Sequence, residues 1–310
     1  MRQIDSPSGI TLLDGGMGRE LLRMGAPFRQ PEWSALSLVE APELVRKAHE
    51  SFAAAGSDIL TTSNYAVVPF HIGEDRFAEE GARLTALSGS LALQAASVHG
   101  CKVAGSIPPL FGSYRPDFFL PERAQALLEI IIDALSPYVD LWLAETMSSI
   151  GESEAVAMAL SADKRPLWIS FTLQDRGESL DKTPRLPSDQ TVVSAVQSAV
   201  EVGASAILFN CSRPEVMAPA VELTIQELKR LGVDVPVGVY ANAFSDLQKD
   251  VLANSTLQEV RQDLDGAGYL NFVESWCQLG AKIIGGCCGI GPEHIATLHE
   301  WLTANNGEKG

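Results

Sequence analysis

The sequence Ile-Ile-Gly-Gly-Cys-Cys-Gly-Ile-Gly at residues 283–291 ends a short apolar run with two adjacent cysteines flanked by glycines. An apolar run of this length, followed by glycine, predicts a buried strand that ends at the glycines. Adjacent side chains on a regular strand point to opposite faces, so Cys287 and Cys288 can reach one centre only where the strand breaks. The glycines permit that break and let the backbone come close to whatever the thiols bind.

Seven similar apolar runs precede this one, separated by longer segments with helical periodicity, as in Arg123–Leu135 and Leu257–Leu279. Eight alternations of strand and helix predict an α/β protein that forms a single (β/α)8 TIM-type barrel, and we expect one barrel domain over residues 1–310. A doubly wound sheet is the alternative, but its dinucleotide-binding glycine motif is absent. The predicted strands are Thr11–Gly16, Asp58–Ser63, Lys102–Ile107, Leu141–Thr146, Leu167–Thr172, Ala206–Cys211, Pro236–Ala241 and Ile283–Cys287.

The segments that leave the predicted strands are often longer than the segments that enter them. Long segments after the strands indicate a functional face at the C-terminal ends of the strands, which is where barrel enzymes have their active sites. The long segments, which we interpret as loops, are Met17–Pro42, Tyr65–Asp75, Pro108–Pro121 and Gln174–Ser188.

Composition narrows the class of protein. The chain of 310 residues carries a net charge of -16, which argues against binding to nucleic acid because there is no excess of Lys or Arg to neutralise phosphates. Residues 1–7 contain no apolar leader segment, and no run of about 18 apolar residues predicts a membrane span. Five cysteines in such a chain fit metal or catalytic use better than a disulfide framework, so we expect a cytoplasmic protein with small-molecule partners.

A third cysteine, Cys211, ends the sixth predicted strand. Three thiols at the ends of two strands, without a fourth ligand, predict an open zinc site, because structural zinc sites are closed by four protein ligands. A zinc ion held by three thiolates suits a soft ligand such as a substrate thiol. Three buried apolar thiols, or a disulfide between Cys287 and Cys288, are the alternatives. We expect Cys101 and Cys277 to take no part.

Two acidic residues also fall at strand ends. Asp14 follows the first strand, and Glu145 follows a wholly apolar run in which an unpaired charge is costly. Either carboxylate can bind a substrate ammonium, and the amides of Gly15 and Gly16 can bind a carboxylate. A turn aspartate and a glutamate paired with an internal Arg or Lys are the alternatives. Thr61, at the end of the second strand, is a further candidate for orienting a substrate. No histidine has the pattern of a general base.

The sequence resembles the zinc-dependent homocysteine S-methyltransferases over nearly its whole length, on the motifs Leu13-Asp14-Gly15-Gly16, Glu145-Thr146, Asn210-Cys211 and Gly285-Gly286-Cys287-Cys288-Gly289. The resemblance implies Zn²⁺ as cofactor, with Cys211, Cys287 and Cys288 as its ligands. It also implies that homocysteine thiolate attacks a methyl group on a sulfonium or similar donor, giving methionine without a general base. The substrate contacts that we expect are Asp14, Gly15, Gly16, Thr61, Glu145 and Thr146.

The methyl donor is a separate question. The sequence is similar to the S-methylmethionine-dependent branch, although Gly112–Asp117 is shorter than the corresponding loop there and Tyr240-Ala241-Asn242-Ala243 replaces a more typical Tyr-Pro-Asn. A sulfonium also expels its leaving group more readily than an ammonium does, so we expect S-methylmethionine. Betaine or another donor, a different thiol or selenol acceptor, and a non-catalytic zinc- or thiol-binding sensor are the alternatives. The sequence does not predict the oligomeric state.

Overall fold

The computed structural model of the protein describes residues 9–27, 29, 32, 34–175, 183–244 and 260–307. The strands in these ranges are β1 (Thr11–Leu12), β2 (Ile59–Thr61), β3 (Lys102–Ile107), β4 (Leu141–Met147), β5 (Leu167–Phe171), β6 (Ala206–Asn210), β7 (Val237–Tyr240) and β8 (Ile283–Ile284). The helices are α1 (Met17–Arg23), α2 (Ser34–Glu40), α3 (Pro42–Ala54), α4 (Pro69–Ile72), α5 (Glu74–His99), α6 (Pro121–Leu135), α7 (Ile150–Ala159), α8 (Val192–Glu201), α9 (Met217–Leu231), α10 (Gly266–Leu279) and α11 (Pro292–Gly307).

The eight strands are parallel and lie side by side in the order β1-β8-β7-β6-β5-β4-β3-β2. The two ends of this order also meet, because Leu13 forms a parallel bridge with Ile59 and the Asp58 amide donates to the Leu12 carbonyl at 2.7 Å. Helices lie between successive strands. The prediction of a (β/α)8 barrel is confirmed.

The barrel interior is apolar along most of its length and polar at the C-terminal ends of the strands. Side chains alternate along each strand, and the inward apolar ones pack in a cluster that contains Leu13, Ile59, Ala104, Leu141, Leu143, Trp168, Ala206, Leu208, Tyr240 and Ile283. The last inward position of each of six neighbouring strands carries a polar group. We call this set the polar ring: Thr61, Ser106, Glu145, Ser170, Asn210 and Tyr240.

Local sequence signals fix where several helices begin and end. Ser149 caps α7 by accepting a hydrogen bond from the Glu152 amide, and the Glu152 carboxylate accepts from the Ser149 amide, which completes a capping box. Gly100 ends α5 in the left-handed conformation, with φ of 74°. None of the helices in the described ranges is long and apolar enough to cross a membrane.

Two predictions about the outer layer are wrong. The predicted helix Leu257–Leu279 starts only at Gly266, because the Asp265 side chain caps it there by accepting from the Gly268 amide at 2.8 Å. Val260, which was expected on the helix, instead pairs with Phe244, and residues 245–259 lie outside the described ranges. The predicted loop Met17–Pro42 contains α1 and α2, and the loop Tyr65–Asp75 contains α4. Part of Gln174–Ser188 also lies outside the described ranges.

Candidate active site

Three free thiols meet at the C-terminal end of the barrel. The Sγ atom of Cys287 lies 2.8 Å from that of Cys211, and the Cys211 and Cys288 sulfurs are 4.0 Å apart. All three sulfurs lie within 4.8 Å of one another. Two sulfurs on a tetrahedral zinc ion are about 3.8 Å apart, so the cluster fits such an ion once its shorter contact lengthens by about 1 Å. All five cysteines are free thiols in this structure, Cys287 and Cys288 included, and Cys101 and Cys277 are not in the cluster.

The backbone turns Cys211 toward the other two thiols. Alternation along β6 places Leu208 and Asn210 inside the barrel, so a regular strand would point Cys211 away from the interior. Cys211 instead has a φ of +53°, in the left-handed region that residues other than glycine rarely adopt. A departure of this kind costs free energy and persists where the surrounding structure holds it, which is common at functional sites.

The two adjacent cysteines lie in a turn after β8. The Cys287 amide donates to the Ala241 carbonyl at 2.9 Å, and the Ile290 amide donates back to the Cys287 carbonyl at 3.1 Å. Gly289 has a φ of +87°, which closes this turn at little steric cost. The break predicted from the glycines is therefore present, and it allows both thiols to face Cys211.

The loop after β1 packs directly against this cysteine turn. The Gly16 amide donates to the Ile290 carbonyl at 2.8 Å, and a Cβ atom at Gly16 would lie 2.5 Å from the Cys287 carbonyl oxygen. Only glycine fits so close to another backbone. Because Gly16 already donates its amide hydrogen within the protein, a substrate carboxylate at this loop would need other donors. The contribution of Gly15 and Gly16 to substrate binding stays a prediction.

Asp14 lies beside this loop and is held by Thr61. The Thr61 amide donates to one carboxylate oxygen at 2.7 Å, and the Thr61 hydroxyl donates to the other at 3.1 Å. Asp14 is buried, and burial raises the pKa of its carboxyl group to about 7 although both hydrogen bonds favour the ionised form. The predicted residues Asp14 and Thr61 thus form one unit in which Thr61 orients the carboxylate.

Glu145 belongs to the polar ring and lies on β4, two strands from the Thr61 that holds Asp14. Its carboxylate accepts a short hydrogen bond from the Ser106 hydroxyl. Burial raises the pKa of Glu145 to about 8, and the nearby Cys211 and Asp14 add to the increase. Within the described ranges neither Glu145 nor Asp14 forms an ion pair. Two buried carboxyl groups that no cation of the described residues neutralises are suited to bind a cationic ligand group.

Asn210 ties the strand that carries Glu145 to the strand that carries Cys211. Its Oδ1 accepts from the Thr146 amide at 3.0 Å and from the Ser170 hydroxyl at 2.7 Å, while its Nδ2 donates to the Thr146 hydroxyl at 2.8 Å. Thr146 has a φ of +60°, an outlier for a β-branched residue. Sequence reasoning placed Asn210 in a motif but assigned it no role, and its position directly before Cys211 was the available signal.

Two tyrosines reach the site, Tyr114 from the β3–α6 loop and Tyr65 from the segment after β2. The Tyr114 hydroxyl donates to the Cys211 carbonyl at 3.1 Å, and the hydroxyls of Tyr65 and Ser113 lie 2.6 Å apart. In the β3–α6 loop, Phe118 and Phe111 lie against the protein's own cations: the Arg115 guanidinium is 3.5 Å from the centre of the Phe118 ring, and that of Arg123 is 5.9 Å from the centre of the Phe111 ring. Tyr114 is the aromatic residue of this loop with a hydrogen bond to the cysteine site.

Comparisons with known proteins agree with this arrangement. The profile of the homocysteine S-methyltransferase family matches residues 11–302. A relative from Escherichia coli (strain K12), named homocysteine S-methyltransferase, is 32% identical and covers 96% of this chain and 97% of its own length. A selenocysteine methyltransferase from Astragalus bisulcatus is 24% identical, over 94% of this chain and 92% of its own.

A solved structure of a homocysteine methyltransferase is also similar to this chain. The crystal structure of the homocysteine methyltransferase MmuM from Escherichia coli in its metallated form superposes with a TM-score of 0.75 and 28% sequence identity. The match covers 94% of this chain and 96% of that one. The similarity therefore extends over the barrel, and the range matched by the family profile contains all three cysteines.

Proposed function

The chain belongs to the homocysteine S-methyltransferase family and is an enzyme of that type, and we propose that it uses a zinc ion held by Cys211, Cys287 and Cys288 with S-methylmethionine as methyl donor. The observation that carries the proposal is the meeting of three free thiols, with no fourth protein ligand among the described residues, at the end of the barrel. When bound there, zinc supplies an open position at which a thiol is held as a thiolate.

The two unpaired carboxyl groups support an amino-acid acceptor. Asp14 and Glu145 are buried and close enough for the charge of one to raise the pKa of the other. A substrate ammonium placed between them would pair with both carboxylates and bring both pKa values down. The amino group of homocysteine fits this role, and its sulfur, a few bonds away, then reaches the cysteine cluster. The predicted contacts Asp14, Thr61 and Glu145 have this function in the proposal.

The reaction requires alignment of the acceptor sulfur with the donor methyl group rather than proton transfer by a side chain. The acceptor sulfur attacks the methyl carbon, the bond from that carbon to the donor sulfur breaks, and its electron pair leaves with the donor as a neutral thioether. The thiol proton would pass to solvent when the acceptor binds as a thiolate, so no general base is needed in the methyl transfer. The protein contributes by holding the ammonium at Asp14 and Glu145 and by keeping the strand ends rigid through Asn210.

We expect turnover with S-methylmethionine to be severalfold faster than with betaine. Both donors carry a positive charge at the reacting centre, so the acidic site does not choose between them by that charge. A sulfonium releases a neutral thioether more easily than an ammonium releases an amine, which lowers the barrier for the same alignment. The measurement is methionine formed by zinc-loaded protein from homocysteine and each donor, with methylcobalamin as a third donor.

The donor panel separates the parts of the proposal. Equal or faster turnover with betaine, or methionine formed only with methylcobalamin, would contradict the donor and leave the thiol chemistry in place. Absence of methionine with every donor would contradict the whole proposal. A Cys101→Ser variant is a suitable control, since Cys101 lies outside the cysteine cluster and its loss should leave the rates unchanged.

A selenol is a second acceptor to test in the same assay. The similarity to a selenocysteine methyltransferase is the observation that favours it. Selenium is a soft donor like sulfur, so the same three-cysteine site would accept either. Comparing homocysteine with selenocysteine at equal donor concentration decides which acceptor the site prefers.

A further inference from the structure

One member of the polar ring has no partner for its hydroxyl group. The hydroxyl of Thr61 bonds to Asp14, that of Ser106 to Glu145 and that of Ser170 to Asn210. Tyr240 is only 5% exposed, and its hydroxyl forms no hydrogen bond of normal length among the described residues; Ser170, the nearby hydroxyl that affects the pKa of Tyr240, already donates its hydrogen to Asn210. Buried hydroxyls are nearly always hydrogen-bonded in folded proteins, so an unpaired one inside an active site indicates a bond to a ligand.

The backbone places Tyr240 among the three cysteines. Strand β7, which ends at Tyr240, lies between β6 and β8, and these two strands lead to the cysteines. Asn210 is the register partner of Tyr240, and the Cys211 amide donates to the Tyr240 carbonyl at 3.3 Å. Cys287 packs against the inward cluster to which the Tyr240 ring belongs. The phenol is therefore next to the place where the acceptor sulfur must bind.

The chemistry of a phenol narrows the choice of ligand atom. A tyrosine hydroxyl is protonated at neutral pH and donates a hydrogen bond. The substrate ammonium has no lone pair to accept one, and the proposed position for it is at Asp14 and Glu145. The predicted position of the substrate carboxylate is the loop that carries Gly15 and Gly16, so the substrate sulfur is the acceptor that remains beside Tyr240. We propose that Tyr240 donates a hydrogen bond to the thiolate sulfur of the acceptor substrate, an inference that rests on the function proposed above.

This hydrogen bond would distinguish the substrate from the product. A thiolate carries a full charge and accepts a strong hydrogen bond, whereas the thioether sulfur of methionine is a weak acceptor. Tyr240 then holds homocysteine while it is a thiolate and loses that contact once the methyl group has been transferred. We assign it as a positioning residue that favours substrate over product.

The test compares the binding of homocysteine and methionine to zinc-loaded Tyr240→Phe protein by calorimetry. Hydrogen bonds to charged groups predict that Kd for homocysteine rises about tenfold or more. Kd for methionine should change by less than about threefold, since the thioether loses little. Zinc content should match wild type, and KM for homocysteine should rise without a fall in kcat, because the contact weakens as the methyl group is transferred. Tyr138→Phe, which removes a hydroxyl on the outer helical layer, is the matched control.

Each other outcome has a defined meaning. Equal weakening of both ligands, unchanged homocysteine binding or loss of zinc would overturn the role of Tyr240. Failure of wild-type protein to bind homocysteine would overturn the proposed function itself, which keeps the two failures apart. If Tyr240→Phe does not fold, 3-fluorotyrosine at this position keeps the hydroxyl as a stronger donor. Homocysteine should then bind more tightly, and weaker or unchanged binding would contradict the inference.

Discussion

Replacing Cys287 and Cys288 together by serine should remove zinc from the protein and reduce methionine formation to the background of the assay. Two of the three thiols would be lost, and one remaining thiol at Cys211 cannot hold zinc against solvent. Serine is nearly isosteric with cysteine, so the turn that carries both residues should keep its backbone contacts. The first measurement is the zinc content per chain, which should be near one in wild type and near zero in the double variant. The second is the rate of methionine formation.

Controls for this experiment come from the same chain. Cys101→Ser and Cys277→Ser change thiols outside the cluster and should retain zinc and activity. Cys211→Ser should behave like the double variant, because it removes the ligand supplied by the other strand. Full zinc content in the Cys287→Ser, Cys288→Ser protein would mean that the metal is held elsewhere and that the assigned ligands are wrong.

Glu145→Gln should lower kcat/KM for homocysteine by about 10- to 150-fold while zinc stays bound. A buried hydrogen bond between charged groups contributes roughly 1.5–3 kcal/mol, which corresponds to that range. Glutamine keeps the shape of the side chain and can still accept from Ser106, so the loss reports the charge of Glu145. Steady-state kinetics with homocysteine varied at saturating donor measures it, with zinc content determined in parallel.

The ratio of kcat/KM for homocysteine between wild type and Glu145→Gln should depend on pH. Burial raises the pKa of Glu145 to about 8 in the substrate-free protein, so the carboxyl group is mostly protonated below that pH and ionised above it. Only the ionised form attracts an ammonium, so the advantage of wild type over Glu145→Gln should grow as pH rises from about 6.5 to 8.5. Ionisation of the homocysteine thiol affects both proteins equally and cancels in the ratio. A ratio near one at every pH would assign Glu145 a structural role.

The strand pattern was predictable because each strand has a simple physical signature. An apolar run bounded by turn residues, such as the one before Glu145, can be recognised without knowing its neighbours. Eight such runs placed the acidic residues and cysteines at strand ends, and a barrel brings strand ends together. The eight strands were therefore identified correctly, although the structure makes most of them shorter than predicted.

Features that depend on contacts between distant residues were not predictable. The left-handed backbone of Cys211 and Thr146 is held by tertiary contacts, including the bonds from Asn210 to Thr146, which lie 64 residues apart in sequence. The helices inside Met17–Pro42 are only seven residues each, too short for periodicity to establish. The start of α10 at Gly266 depends on one capping side chain, that of Asp265, within a longer apolar pattern.

Zinc K-edge X-ray absorption, recorded with and without homocysteine, tests the central claim most directly, namely that the three cysteines leave one zinc position for the substrate sulfur. The account predicts three sulfur ligands and one lighter atom without substrate, and four sulfur ligands after homocysteine is added. With selenohomocysteine in its place, a zinc–selenium distance should appear. A first shell that does not change on adding homocysteine, or one with four sulfurs from the start, would contradict the account.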